Sequence, residues 1–116
     1  MGLVLDCADP EALASFWAAA LGYRVLGSAG TYTLLLPPDG EPGFELVLQQ
    51  VPEAKRDKLR MHLDIHTADI EPEAARLVEL GARRVQAAQL GEHGHCWILM
   101  EDPEGNEFCV CDGAAP

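Results

Sequence analysis

The chain has 116 residues, 48% of them hydrophobic, and a formal net charge of −11 at pH 7. That length suits one domain with its own core, and no apolar run reaches the roughly 18 residues of a membrane-spanning helix. The acidic balance repels phosphate backbones and anionic lipids, so we expect neither nucleic acid nor a membrane as a partner. No basic stretch typical of a secretory signal follows Met1, which predicts a cytoplasmic protein.

The first half of the chain predicts a strand, a helix and three further strands. The helix has Asp9 as a typical N-cap, Pro10 at its first position and Gly22 as a left-handed C-cap. Its apolar residues recur at the spacing of one helical face, at Leu13, Phe16, Trp17, Ala20 and Leu21. A turn is predicted at Gly27–Gly30. The strands are predicted at Leu3–Cys7, Tyr23–Leu26, Thr31–Leu36 and Phe44–Gln50.

The second half of the chain predicts the same order of elements. The helix is expected over Glu71–Leu80, with Gly81 as its cap. The apolar face of this helix consists of Ile70, Ala74, Leu77 and Val78. Strands are predicted at Met61–Thr67, Arg83–Ala87, Cys96–Glu101 and Phe108–Cys111. We therefore predict an α+β fold in which residues 1–116 form one domain of two βαβββ modules, 1–50 and 61–113, joined by a linker at 51–60.

Short motifs that recur in both halves support this duplication. Leu5-Asp6 corresponds to Leu63-Asp64, and Leu21-Gly22 corresponds to Leu80-Gly81. In the later strands, the motif Phe44-Glu45-Leu46 corresponds to Phe108-Cys109-Val110. Such self-similarity is the sequence signature of a repeated structural unit.

The alternation of residues along the strands predicts which side chains face away from the helices. Leucines alternate with polar residues in the first and last strands, and the leucines must meet the helices. The opposite faces then collect Asp6, Glu45, Gln49, His62 and Asp64. If the two mixed sheets join, these faces line a concave cavity with polar and ionisable groups, which predicts a small-molecule site.

Each candidate site residue has a functional and a structural interpretation. His62 either binds a ligand and moves a proton, or forms a pair with Asp64 or a backbone carbonyl. Glu45 on an inward face should pair with His62, a cation or water, because burying an unpaired carboxylate is costly. Asp64 either orients His62 or accepts backbone hydrogen bonds. Trp97 either stacks on a flat ligand or packs in the core.

Cysteines, loop histidines and basic residues add weaker signals. Cys109 and Cys111 share one face of a strand and form either a thiolate pair for a metal or small buried hydrophobic groups. His93 and His95 are expected in a solvated hairpin loop. The basic run Lys55–Arg60 is interpreted first as a solvated linker and second as a contact for an anionic group.

Three motifs together resemble the vicinal-oxygen-chelate superfamily, which includes glyoxalase I, extradiol dioxygenases, and fosfomycin- and bleomycin-resistance proteins. They are Asp9–Trp17 with Leu21–Tyr23, Arg60–Asp64, and Asp102–Phe108. The resemblance covers the whole chain and is closest to small glyoxalase-like proteins. It implies paired βαβββ modules enclosing one cavity, and a homodimer.

Metal-dependent members of that superfamily bind a divalent cation through four ligands, two from each module. Carried over to this chain, the resemblance places one ligand at His62 and one at Glu45. The other two positions fall on Gly2, or Val4 in a shifted register, and on Cys109, where a glutamate is usual. Oxygen and imidazole ligands suit Mn, Fe, Ni, Mg or Zn, and a thiolate shifts the preference toward Zn. The resemblance thus implies a divalent metal with an incomplete ligand set.

Two functions remain open from the sequence. The first is a binding protein that sequesters a cationic or aromatic compound, which needs no metal and agrees with the net charge. The second is a metal-dependent lyase, isomerase or dioxygenase acting on a small oxygen-rich metabolite. In that enzyme His62 and Glu45 would be the catalytic residues. In either case the ligand would contact Asp64, Trp97, Gln49, Asp6 and Cys109.

Overall fold

The computed structural model of the chain describes residues 2–91 and 94–112. It divides into two units, the first ending at Arg56 and the second beginning at Asp57. Over the described residues, each unit combines one helix with one mixed β-sheet. The predicted α+β architecture is therefore confirmed.

The first unit contains five elements. They are β1 (Gly2–Cys7), α1 (Pro10–Leu21), β2 (Arg24–Ala29), β3 (Tyr32–Leu36) and β4 (Glu45–Gln50). The sheet order is β1-β4-β3-β2, with β1 parallel to β4 and the other pairs antiparallel. This is the predicted βαβββ order, with α1 packed on the sheet.

Helix α1 begins and ends at the predicted caps. Asp9 accepts a hydrogen bond from the backbone N–H of Ala12 at 3.1 Å, and Gly22 adopts the left-handed conformation at φ 69°. The helix buries one apolar stripe that includes Phe16 and Trp17, whose rings meet edge to face at 5.1 Å. The sheet presents fully buried leucines to it, at Leu35, Leu46 and Leu48. Burying each such side chain contributes about 1.5–3 kcal/mol.

Strand β2 is longer than the sequence pattern predicts. The turn expected at Gly27–Gly30 is wrong in its extent and begins only at Gly30, because β2 continues to Ala29 through a bulge between Val25 and Gly27. The hydroxyl groups of Ser28 and Thr33 lie 3.1 Å apart and hold this end of β2 against β3. Gly27 lies at this bulge. The sequence alone predicts it as a turn residue, because bulges and turns require similar backbone freedom.

The second unit contains six elements. They are β5 (Leu63–His66), α2 (Ile70–Leu80), β6 (Arg83–Arg84), β7 (Gln89–Leu90), β8 (Cys96–Glu101) and β9 (Glu107–Cys111). The sheet order is β5-β9-β8-β6, and β7 also pairs with β8. The predicted strand Arg83–Ala87 is wrong in its extent, because regular pairing stops after Arg84 and resumes at Gln89. Strand β5 is shorter than predicted, so His62 lies just before it.

Helix α2 buries a narrower stripe than predicted. Ile70, Ala74 and Leu77 are buried, but Val78 is 46% exposed. Val78 follows Leu77 by one residue and is therefore rotated by about 100° around the helix, to the flank of the stripe. The two helices have 12 and 11 residues, and none in the described part of the chain is long and apolar enough to span a membrane.

The two units differ in the register of their parallel strand pairs. In the first unit, Gly2 lies opposite Glu45 and Asp6 lies opposite Gln49. In the second unit, Asp64 lies opposite Cys109. If Glu45 corresponds to Cys109, as the repeated motifs indicate, then Asp64 corresponds to Gly2 in the sheet and not to Asp6.

Candidate functional site

The second unit has a concave pocket of about 430 Å³. On β8, Ile98 and Met100 are fully buried, whereas Trp97 and Leu99 are half-buried and alternate with them. Trp97 and Leu99 line the pocket together with their cross-strand neighbours Cys111 and Cys109. The pocket therefore uses the sheet face opposite the buried one, as the alternation of residues predicts.

One end of the pocket carries ionisable side chains. His62 Nδ1 lies 3.1 Å from Asp64 Oδ1, and the two side chains are 37% and 44% exposed. With its proton on Nδ1, the imidazole donates to the carboxylate. The His62–Asp64 pair is one of the two arrangements that the sequence left open for His62.

Three potential metal donors converge at that end. The imidazole of His62, the carboxylate of Asp64 and the thiol of Cys109 offer ligand atoms within 4.8 Å of one another. Asp64 and Cys109 meet because β5 and β9 place them opposite each other. Nitrogen, oxygen and sulfur together suit zinc better than a hard cation such as Mn²⁺. The cluster therefore fits a borderline-soft divalent ion.

Burial makes the pocket thiols weak acids. The pKa of Cys109 is raised to about 11, by burial first and then by the neighbouring Asp64 and Cys111, while Lys58 acts in the opposite direction. The pKa of Cys111 is also raised, by burial first and then by Asp64 and Asp112. Both groups are neutral thiols near pH 7, so they behave as apolar surface on the pocket floor.

Two further polar side chains border the pocket. Lys58 lies in it, although it belongs to the basic run that we interpreted first as a linker. His95 is 61% exposed, and its Nδ1 lies 3.6 Å from Asp112 Oδ1. His93 lies outside the described residues. The position of Lys58 was missed because a stretch without helical or strand periodicity gives no signal of side-chain direction.

The remaining predicted site residues belong to the sheet of the first unit. Asp6 and Glu45 are exposed and Gln49 is half-buried. Their neighbour Val4 is 60% exposed. Glu45 is thus exposed and not buried as its inward face predicted, and of the three partners expected for it, water is the one that this exposure provides. Of the predicted residues, the pocket of the second unit brings together His62, Asp64, Trp97 and Cys109.

Comparison with known proteins places the chain in a family. A model of the glyoxalase-like domain matches residues 2–111. The chain belongs to this family. The predicted membership of the glyoxalase/bleomycin resistance protein/dioxygenase superfamily is thereby confirmed. A search of curated proteins finds no significant match to this glyoxalase-like chain.

Solved structures share the fold of this glyoxalase-like protein. A glyoxalase-related enzyme from Fulvimarina pelagi has 20% identity and a TM-score of 0.75, over 97% of this chain and 87% of that one. The fosfomycin resistance protein FosX from Mesorhizobium loti has 16% identity and a TM-score of 0.74, over 98% and 91%.

A third structure carries a metal and a small ligand. It is a mutant of the fosfomycin resistance protein from Listeria monocytogenes, complexed with Mn(II) and 1S,2S-dihydroxypropylphosphonic acid. Its identity to this chain is 14% and its TM-score is 0.78, over 97% of this chain and 88% of that one. At these identities the likeness shows the fold alone.

Proposed function

We propose that this glyoxalase-like protein binds a small molecule with a flat apolar part in the pocket of the second unit. The observation that carries the proposal is the half-buried ring of Trp97 in a pocket whose floor also holds Leu99 and two neutral thiols. Apolar walls with a few convergent polar groups are typical of ligand sites. An indole ring offers a large, rigid surface for stacking.

Two electrostatic effects bear on the charge of the ligand, one at long range and one within the pocket. The net charge of −11 attracts cationic compounds from afar, which supports sequestration of a cation. Within the pocket, Lys58 and Asp64 carry opposite charges. The aromatic part of the ligand is therefore the feature that the pocket itself supports first.

The first experiment measures binding of 2-naphthamide, a neutral flat probe, by isothermal titration calorimetry. We expect saturable binding that Trp97→Ala weakens about tenfold, the loss common when a central aromatic contact is truncated. Tyr32→Ala is the matched control, because Tyr32 is an aromatic residue of the first unit that is 48% exposed. Absence of binding, or equal losses in both variants, would contradict the proposal.

A metal-dependent enzyme is the second candidate function. It is supported by the convergence of His62, Asp64 and Cys109, and by the Mn(II) in the related Listeria structure. A divalent ion held there would polarise a substrate oxygen. His62 would either hold the ion or accept and donate a proton, and Asp64 would fix its ring orientation. The protein would then be a lyase, isomerase or dioxygenase that acts on a small oxygen-rich metabolite.

Zinc titration tests the second candidate. We expect His62→Ala and Cys109→Ala each to weaken zinc affinity by at least about tenfold, and binding to release the thiol proton. His66→Ala and Cys111→Ala are matched controls, because His66 is the last residue of β5, four residues beyond His62, and Cys111 lies two residues beyond Cys109 on β9. Glu45→Ala tests the ligand role implied by the family resemblance. If wild type and variants bind zinc equally, the metal-dependent candidate is rejected.

A further inference from the structure

We infer that the ligand of the second unit carries an anionic group, and that Lys58 recognises it. The ligand class is then a small organic acid with a flat apolar part, such as an aromatic carboxylate. This inference rests on the proposed binding function of the same pocket and assigns its specificity.

The backbone next to Lys58 is fixed to the sheet of its own unit. The N–H group of Leu59 donates a hydrogen bond to Glu107 Oε2 at 2.9 Å, and Glu107 is the first residue of β9. Two residues further along β9 lies Cys109, on the pocket floor. Lys58 lines the same pocket, and its charge is close enough to Cys109 to oppose part of the rise in the thiol's pKa.

The carboxylates around the pocket are engaged with other groups. Asp64 is paired with His62 at 3.1 Å. Asp112 accepts a hydrogen bond from the N–H of Cys96 at 2.7 Å and lies 3.6 Å from His95. Glu107 accepts from the backbone of Leu59.

Among the residues that the structure describes, the ammonium group of Lys58 has no carboxylate partner. Within residues 2–91 and 94–112, none lies within ion-pair distance of it. A cation beside an apolar floor favours an anionic ligand group, because a charge-assisted hydrogen bond is stronger than a neutral one. Lys58 is therefore available to a ligand, whereas the histidines and aspartates are already paired.

Local charge outweighs net charge at contact distance. Electrostatic interactions are screened over about 8 Å at physiological ionic strength. The acidic surface as a whole then slows the approach of an anion, but a bound carboxylate interacts mainly with the charges that touch it. Lys58 is the lining residue whose charge has no counterpart among the described residues.

The decisive experiment compares three probes that share one ring system. They are 2-naphthoate, neutral 2-naphthamide and cationic 2-naphthylmethylamine, each titrated into the full chain by calorimetry. We expect wild-type protein to bind the naphthoate about fivefold more tightly than the amide, as one charge-assisted contact implies. Lys58→Gln should abolish this preference, so that the naphthoate and the amide bind the variant with similar affinity. Arg60→Gln is the matched control, because Arg60 belongs to the same basic run but does not line the pocket.

Each outcome has a distinct meaning. Binding of the amide without a preference for the naphthoate, or a preference that Lys58→Gln leaves intact, overturns the inference and leaves the proposed function standing. Equal effects of Lys58→Gln and Arg60→Gln also overturn it, since they would reflect overall charge. If no naphthyl probe binds wild-type protein, both the inference and the proposed function fail.

Discussion

Cys109 shows how its surroundings set the chemistry of a single side chain. The residue is 8% exposed and stands opposite Asp64 on the neighbouring strand. A thiolate there would lose its hydration and face a carboxylate, so the protonated form is favoured. The neutral thiol therefore forms part of the apolar wall of the pocket near pH 7.

This raised pKa predicts the pH dependence of thiol alkylation. Iodoacetamide reacts with the thiolate, so its rate at Cys109 follows ionisation. In the folded protein, the rate should reach half of its maximum around pH 11, compared with about pH 8.5 for an unperturbed thiol. Peptide mass spectrometry after short pulses between pH 7 and pH 11 measures this rate. The urea-unfolded chain is the reference, and coincident profiles in both states would contradict the prediction.

The direction of a side chain could be predicted on strands but not on irregular segments. The spacing of Cys109 and Cys111 predicted that they share one face of a strand, and both line the pocket, because the side-chain period of a strand is two. The pairing of His62 with Asp64 follows from the same spacing. Lys58 lies in a segment without a period, so its place in the pocket could not be predicted from the sequence.

At the scale of elements, the N-termini of the two helices can be compared directly, because each is preceded by an aspartate. Asp9 caps α1 through its side chain, whereas Asp69 holds the same position before α2 and makes no such hydrogen bond. We expect Asp9→Ala to lower the free energy of unfolding by about 1 kcal/mol, because an N–H of the first turn loses its partner.

Asp69→Ala is the control and should cost less than Asp9→Ala. Urea denaturation of the two variants and the wild type, under identical conditions, provides the comparison. Equal losses would show that the capping bond of Asp9 contributes no stability beyond that of any aspartate at this position.

The predicted element boundaries were wrong where the sequence pattern is compatible with both a strand and irregular backbone. Val85, Gln86 and Ala87 extend the predicted strand, yet regular pairing ends at Arg84. The N–H of Val85 still donates to the carbonyl of Leu99, at 2.9 Å, so the chain leaves the sheet gradually. Such an irregularity depends on the neighbouring strand, which local propensity does not describe.

At the scale of the whole molecule, the duplication was the most useful sequence signal. Two runs of strand, helix and strands predicted the α+β fold, the resemblance of three motifs implied the superfamily, and both are confirmed. The homodimer stays a prediction, as does the role of Glu45. Neither follows from the pattern of one chain, because both depend on which surfaces meet.

The register of the parallel strand pairs has a consequence for duplicated proteins. The repeated motifs align Asp6 with Asp64, yet the pairing with β4 and β9 aligns Gly2 with Asp64, which is a displacement of four residues. Four residues correspond to about 13 Å along a strand, and an even number leaves every side chain on its own face. An odd displacement would turn Leu46 and Leu48 out of the core. The register of the parallel strand pair can therefore differ between duplicated sheets by an even number of residues without exposing the core. Positions matched within the repeat then need not share a place in the site.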